Sequence, residues 1–200
     1  MLYIKRLLQI CDVVMIQEHW LFNDNISSFA EKIDGINIHG VSGMTENEYM
    51  CGRPYGGCAI LWRKSLNCSF TPISHRSKRI AAGILHLDNL HVNLLLFCVY
   101  MPCDGSHVDQ YRQSYDEVIA DIHAMIENSP VDEIILAGDF NTDLSRVLSH
   151  KIWSDAGRPN AGPILGCIKR TLFFPNQILP SAILFHLVQK QIVPNIFEKF

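Results

Sequence analysis

Three apolar runs in this sequence each end on a side chain able to do chemistry. VVMIQ (residues 13–17) is followed by Glu18, LLLFCV (94–99) by Tyr100, and EIILAG (133–138) by Asp139, with Asn141 two residues further on. A carboxylate can bind a hard cation or align a water, a phenol can donate to a phosphoryl oxygen, and an amide can help hold the water. In a sheet with covered faces, loops and ligands meet at the strand ends, so these four groups are expected to converge on one site. Within GDFN (138–141), Gly138 lets the backbone pass close to a ligand. Asp139 and Asn141 fall on one side of an extended chain, a pair suited to holding one water.

Each residue taken singly has a plainer reading. A Glu closing a strand serves as a solvated terminus or helix cap, and an Asp after Gly as a turn residue. A Tyr at a strand end serves as a core-edge aromatic whose hydroxyl finds one partner. The ordered set, rather than any member, points to a site.

The elements that would position these residues follow from periodicity. Residues 4–10 read as the tail of an amphipathic helix, 13–17 as a buried strand, and 24–33 as a helix behind an Asp or Asn cap. Residues 36–41 alternate, and 43–57 form a polar loop bearing Gly and Pro. Strands are expected at 58–63, 67–73, 79–87 and 92–101, the last two joined as a hairpin by an Asp88-Asn89 turn. The period then changes. Tyr111, Tyr115, Val118, Ile119, Ile122 and Ile126 recur at helical spacing, predicting a helix over 108–128 that stops before Pro130, and 133–137 is another buried strand. Beyond Arg146 five prolines interrupt short apolar fragments, and the one element expected there is a helix at 181–189. The chain thus divides into a partial domain over 1–146 and a divergent tail over 147–200.

Composition bounds the function. With 200 residues, 48% hydrophobic and 18% charged, the chain can bury one substantial core and is neither disordered nor fibrous. A net charge of −3 argues against coating a polyanion by bulk charge, so any nucleic-acid contact must be local. Residues 1–146 hold 11 bases against 18 acids, whereas 147–200 hold 6 against 2. No acid occurs between Glu48 and Asp88, where Arg53, Arg63, Lys64, Arg76, Lys78 and Arg79 fall. A basic patch is expected there, with Lys78 and Arg79 foremost because they open a strand; solvated surface charge is the alternative. Trp20 and Trp62 are candidates to stack on bases, with core packing favoured for Trp62.

The seven cysteines show no CxxC spacing, so neither a disulfide framework nor a cysteine zinc site is indicated. Cys11, Cys58 and Cys98 read as buried packing in a reducing, intracellular compartment. None of the nine histidines has the i, i+4 partner of a helical zinc site, and His19 and His150 read as structural or exposed. The first residues lack the apolar core of a signal peptide, and the charge-free stretch 171–189 is broken by Pro175 and Pro180, so no membrane span is expected.

Gln17-Glu18, Val99-Tyr100-Met101-Pro102 and Gly138-Asp139-Phe140-Asn141 stand in an order and spacing that resembles the endonuclease/exonuclease/phosphatase superfamily. The strings GRPYGGCAILWRKSL (52–66) and FCVYMPCDG (97–105) look more narrowly like the endonuclease domain of LINE-type retrotransposons, the apurinic-endonuclease-like branch. The resemblance covers about residues 1–146. It implies an α/β fold, a two-sheet α/β sandwich, incomplete here, that hydrolyses nucleic-acid phosphodiesters, DNA ahead of RNA, with one Mg²⁺ or Mn²⁺. Carried onto matching positions, Glu18 would be the metal ligand, Asp139 would align or activate the attacking water, Asn141 would assist it, and Tyr100 would contact the scissile phosphate. Lys78 and Arg79 would flank that site as substrate contacts.

The sequence also departs from the family pattern. Members normally open on a strand ending in Asn and close on a Ser-Asp-His-like motif. No such strand precedes residues 4–10, Ser154-Asp155-Ala156 lacks the His, and His150 and His186 have no neighbouring Asp. Losing a positioned proton-transfer group costs about 10²- to 10⁴-fold. The expectation is therefore a copy truncated at both ends with weak or no turnover. A non-catalytic nucleic-acid-binding or interaction module, and a phosphatase of the same superfamily, are the alternatives.

Overall fold

The computed structural model describes residues 2–44, 55–102, 108–141 and 185–188. Arg53, the motif candidates Ser154-Asp155 and His150, and the charge-free stretch up to residue 184 lie outside the described residues.

The elements are α1 (Leu2–Ile10), β1 (Val13–Gln17), α2 (Asn23–Glu31), β2 (Ile36–Val41), β3 (Cys58–Arg63), β4 (Cys68–Pro72), β5 (Ile80–Leu87), β6 (Val92–Tyr100), α3 (Val108–Glu127), β7 (Glu133–Asp139) and β8 (Phe185–Val188). They form two four-stranded sheets, ordered β2-β3-β1-β8 and β4-β5-β6-β7. Hairpin-like neighbours pair antiparallel, while β1 with β8 and β6 with β7 pair parallel. The β6–β7 pair needs a crossover, and α3 supplies it.

Strand alternation divides the core into three layers. Val13 and Met15 of β1 face the second sheet, where they meet Leu94, Leu96 and Cys98 of β6. Val14 and Ile16 face outward against α1 and α2, through Ile4, Leu7 and Phe29. On the far side of the second sheet, Phe97 and Val99 pack beneath Val118 and Ile122 of α3. The result is a two-sheet sandwich with helices on both outer faces, the α/β architecture expected.

Three details differ from expectation. The α2 helix has no side-chain cap: Phe22 occupies the cap position, and the Asn23 Oδ1 instead accepts a hydrogen bond from the Ser42 N–H at 3.0 Å. In place of a helix over 181–189, residues 185–188 form β8, in register with β1 from Val13 to Ile16. A four-residue apolar fragment fits either state by periodicity, and the β1 edge offers backbone groups that a strand satisfies. The β5–β6 hairpin closes through residues 88–91, with His91 at φ 52 and the Leu90 N–H bonded to the Leu87 carbonyl at 3.1 Å.

Among the described residues, the basic stretch does not gather into one patch. Arg63 lies at the start of β1, its Nε donating to the Cys11 carbonyl at 2.9 Å and its Nη1 3.6 Å from Asp12 Oδ1. Arg79 lies at the other end of the sandwich, beside Tyr100. Lys64, Arg76 and Lys78 are exposed. Trp62 is core, stacked on Phe70 with ring centroids 4.5 Å apart.

Candidate functional site

β6 and β7 run parallel with Tyr100 and Asp139 as register partners, so both reach the same end of the second sheet on the same face. That face is the inter-sheet one, because Leu94, Leu96 and Cys98 precede Tyr100 on it and Ile135 and Ala137 precede Asp139. Gly138 makes the pairing possible. A Cβ at this position would drive into the Val99 carbonyl, so the close approach that requires glycine is to the neighbouring strand.

Glu18 reaches the same place by a different route. On an extended strand it would follow Val14 and Ile16 to the helix-covered face. Its backbone instead adopts φ 54, and the turn sends its carboxylate between the sheets to accept a hydrogen bond from the Tyr100 hydroxyl. Glu18 is 7% exposed. Gln17, one residue earlier, bridges the sheets as well: its Nε2 donates to Cys98 Sγ at 3.0 Å, and Cys98 donates to the Ile16 carbonyl at 3.3 Å.

Asn141 does not continue the β7 strand. Its backbone turns to φ 46, its N–H donates to Asp139 Oδ1 at 3.0 Å, and its Nδ2 donates to the Met101 carbonyl at 2.7 Å. Asp139 and Asn141 are therefore joined by a local turn rather than lying side by side on an extended chain. The Met101 N–H in turn donates to the Asp139 carbonyl at 2.8 Å, so the ends of β6 and β7 are laced together.

Arg79 completes the cluster. Its guanidinium carbon stands 5.7 Å from the Tyr100 ring centroid, its Nη1 donates to the Tyr100 carbonyl at 3.5 Å, and its carbonyl accepts from the Tyr100 N–H at 2.9 Å. Lys78 is exposed one residue away. Glu18, Tyr100, Asp139, Asn141 and Arg79 thus occupy one end of the sandwich.

His19 was open between a structural and an exposed reading, and it is structural. It is 2% exposed, its Nε2 lies 3.1 Å from the Val41 carbonyl, and its Nδ1 accepts from the Leu21 N–H at 3.0 Å. Burial holds its pKa down to about 4, so it is neutral at physiological pH. Three of the four non-glycine residues with positive φ among the described residues, Glu18, Trp20 and Asn141, lie at this end of the molecule. Such conformations cost about 1–3 kcal/mol each and persist where the surroundings impose them, commonly at functional sites.

Among the described residues, no group of three or more His, Cys, Asp or Glu side chains is arranged to hold a metal ion. A single buried carboxylate fits a hard cation that keeps most of its waters or takes phosphate oxygens, and does not fit a caged zinc. No helix among the described residues is long and apolar enough to cross a membrane.

No curated protein matches the sequence. Among solved structures, the human Nocturnin catalytic domain with bound sulfate is similar at TM-score 0.52 and 13% identity, over 77% of this chain and 60% of that one. A mannosyl-6-phosphatase of Bacteroides thetaiotaomicron gives TM-score 0.47 at 20% identity, over 70% and 56%. An AP endonuclease from Leishmania major gives TM-score 0.44 at 20% identity, over 64% and 45%. The chain spans between 42% and 60% of the length of solved structures that it matches. The Nocturnin likeness supports the two-sheet fold. The sequence model of the Endonuclease/Exonuclease/phosphatase family matches residues 1–183, past the last of the motifs at Asn141. By that match, over most of its length, the chain belongs to the Endonuclease/Exonuclease/phosphatase family.

Proposed function

We propose that this chain is a divalent-metal-dependent phosphodiesterase of the endonuclease type, acting on nucleic acid, DNA ahead of RNA, with weak turnover. The observation that carries the reading is the Tyr100–Glu18 hydrogen bond beside Asp139, which sets a buried carboxylate, a phenol and a second carboxylate at one sheet end. Glu18 would hold Mg²⁺ or Mn²⁺, and the bound cation would offset charge on the phosphoryl oxygens.

The chain's own groups do the rest. Asp139 orients the attacking water and accepts its proton, while Asn141, through its bond to the Met101 carbonyl, fixes the loop on which Asp139 ends. Tyr100 lies between Glu18 and Arg79 with its hydroxyl donating to Glu18, and on substrate binding that proton would turn to a phosphoryl oxygen. Arg79, with exposed Lys78 behind it, contacts phosphate oxygens. Weak turnover is the expectation set by the missing Ser-Asp-His-like motif, and His19 does not make good that loss. His19, the imidazole adjacent to Glu18 in sequence, has both nitrogens engaged by backbone, so it cannot protonate a leaving group.

The LINE-type relationship and an intracellular setting belong to the same proposal. The strings at 52–66 and 97–105 support the first. The free thiols of Cys11, Cys58, Cys68 and Cys98 suit the second.

A nicking assay on supercoiled and abasic plasmid tests the reading. Slow cleavage that needs Mg²⁺ or Mn²⁺, stops with EDTA and disappears in Asp139→Asn is the expected result. Salt-sensitive retention of DNA without cleavage would replace it with the binding-module reading, and neither cleavage nor retention would overturn it.

A further inference from the structure

The pleat of β1 directs position 18 toward α1 and α2, yet the Glu18 carboxylate points to Tyr100. Two backbone bonds hold the segment from below: the Glu18 N–H donates to the Gly57 carbonyl at 2.8 Å and the Trp20 N–H to the Gly56 carbonyl at 3.1 Å. These bonds fix where the segment lies but leave the turn itself to be closed by something else.

The His19 imidazole closes it. The Leu21 N–H must donate to Nδ1, which leaves the proton on Nε2 to be donated to the Val41 carbonyl. One neutral tautomer therefore satisfies both partners and ties the Glu18–Leu21 turn to the end of β2. The ring sits in a glycine cradle. A Cβ at Gly57 would overlap the His19 ring, and one at Gly43 would press on the backbone of Gly56 and Gly57. Gly56 and Gly57 themselves take φ 66 and φ 92, so the chain folds around the ring as only glycine readily allows.

We propose that His19 is a positioning residue: its Nδ1 bond to the Leu21 N–H, within the glycine cradle, turns the Glu18 carboxylate from the outer face of β1 toward Tyr100. The side chain touches neither substrate nor metal and acts through Glu18. Its consequence for metal affinity rests on the function proposed above, whereas its consequence for the Glu18–Tyr100 bond does not.

The experiment reads both. In metal-free protein labelled with ¹³Cζ-tyrosine, the Tyr100 resonance is assigned by its loss in Tyr100→Phe. His19→Ala is expected to move that resonance toward its position in Glu18→Ala, while Ile122→Ala, a destabilising change on the buried face of α3, leaves it in place. His19→Asn, which keeps an acceptor where Nδ1 stands, is expected to restore it. Should His19→Ala fail to fold, His19→Gln, which retains the reach to Val41 but not the bond to Leu21, carries the same expectation. Mn²⁺ affinity, read by water-proton relaxation, should weaken at least about tenfold in His19→Ala and return to within about threefold in His19→Asn, the cost expected when an outer partner of a metal ligand is lost. An unmoved Tyr100 resonance in folded His19→Ala or His19→Gln overturns the proposal. A resonance that moves in a protein whose Mn²⁺ binding is indifferent to Glu18→Ala upholds the positioning role and sinks the metal reading alone.

Discussion

The Tyr100 hydroxyl donates to the Glu18 carboxylate from the opposite sheet, a bond between residues 82 positions apart. A hydrogen bond to a buried charged group contributes about 1.5–3 kcal/mol, and removing the donor leaves the carboxylate less well satisfied. Tyr100→Phe should therefore lower stability by about 1–3 kcal/mol in urea titration, with an unchanged m-value. A midpoint equal to that of the parent protein would show that the bond contributes nothing.

Gly138 offers a sharper test of the sheet geometry. Because a methyl group there would meet the Val99 carbonyl of the paired strand, the strands must separate just where Tyr100 and Asp139 lie in register. Gly138→Ala is expected to cost about 3 kcal/mol or more, among the larger effects of a single substitution. The measurement is the melting temperature, with amide exchange at Met101 and Asn141 reporting whether the lacing between β6 and β7 opens.

Most of the fold was legible because periodicity is strong here. The runs at 13–17, 58–63 and 133–137 alternate or stay apolar, and the 108–127 helix repeats at spacings of three and four, so the elements up to β7 fall within a residue or two of their expected bounds, whereas the helix expected at 181–189 is the strand β8. The proximity of Tyr100 and Asp139 was legible too, since both close apolar strands in a βαβ arrangement. The contact of Glu18 with Tyr100 could be anticipated only as convergence, not as geometry. Alternation alone sends Glu18 to the wrong face, and what reverses it is a left-handed backbone held by Gly56 and Gly57 of a distant loop and by the neighbouring His19. The Gly-Gly pair had read merely as the end of a polar loop. Asn141 misled for the same reason: a side chain two residues along is on the same side only while the strand continues, and β7 stops at Asp139.

Acid should weaken the fold through its buried histidines. Burial lowers the His19 pKa from 6.5 to about 4, and burial also lowers His39 and His75. As pH falls below 6.5 the unfolded chain takes up the His19 proton while the folded chain does not. The stability is thus fully present above 6.5 and drains away down to about 4. For His19 alone the loss across that window is about 3 kcal/mol, at 1.36 kcal/mol per pH unit. Urea midpoints at pH 7, 6, 5 and 4.5 should fall monotonically, and His19→Asn should flatten the slope even though it starts from lower stability.

Metal binding should be visible as stabilisation without any catalysis. A cation that binds the folded chain and not the unfolded one raises stability by RT ln(1 + [L]/Kd), about 1.4 kcal/mol at ten times Kd. Mg²⁺ or Mn²⁺ titrated into the metal-free protein should raise its melting temperature with a saturating dependence, and EDTA should reverse the shift. Glu18→Gln should abolish it, because a neutral amide offers a hard cation a weaker oxygen and no charge. Asp139→Asn should retain most of the shift while losing cleavage, since Asp139 is assigned to the water rather than to the ion. If the shift instead tracked Asp139 and ignored Glu18, the roles of the two carboxylates would have to be exchanged.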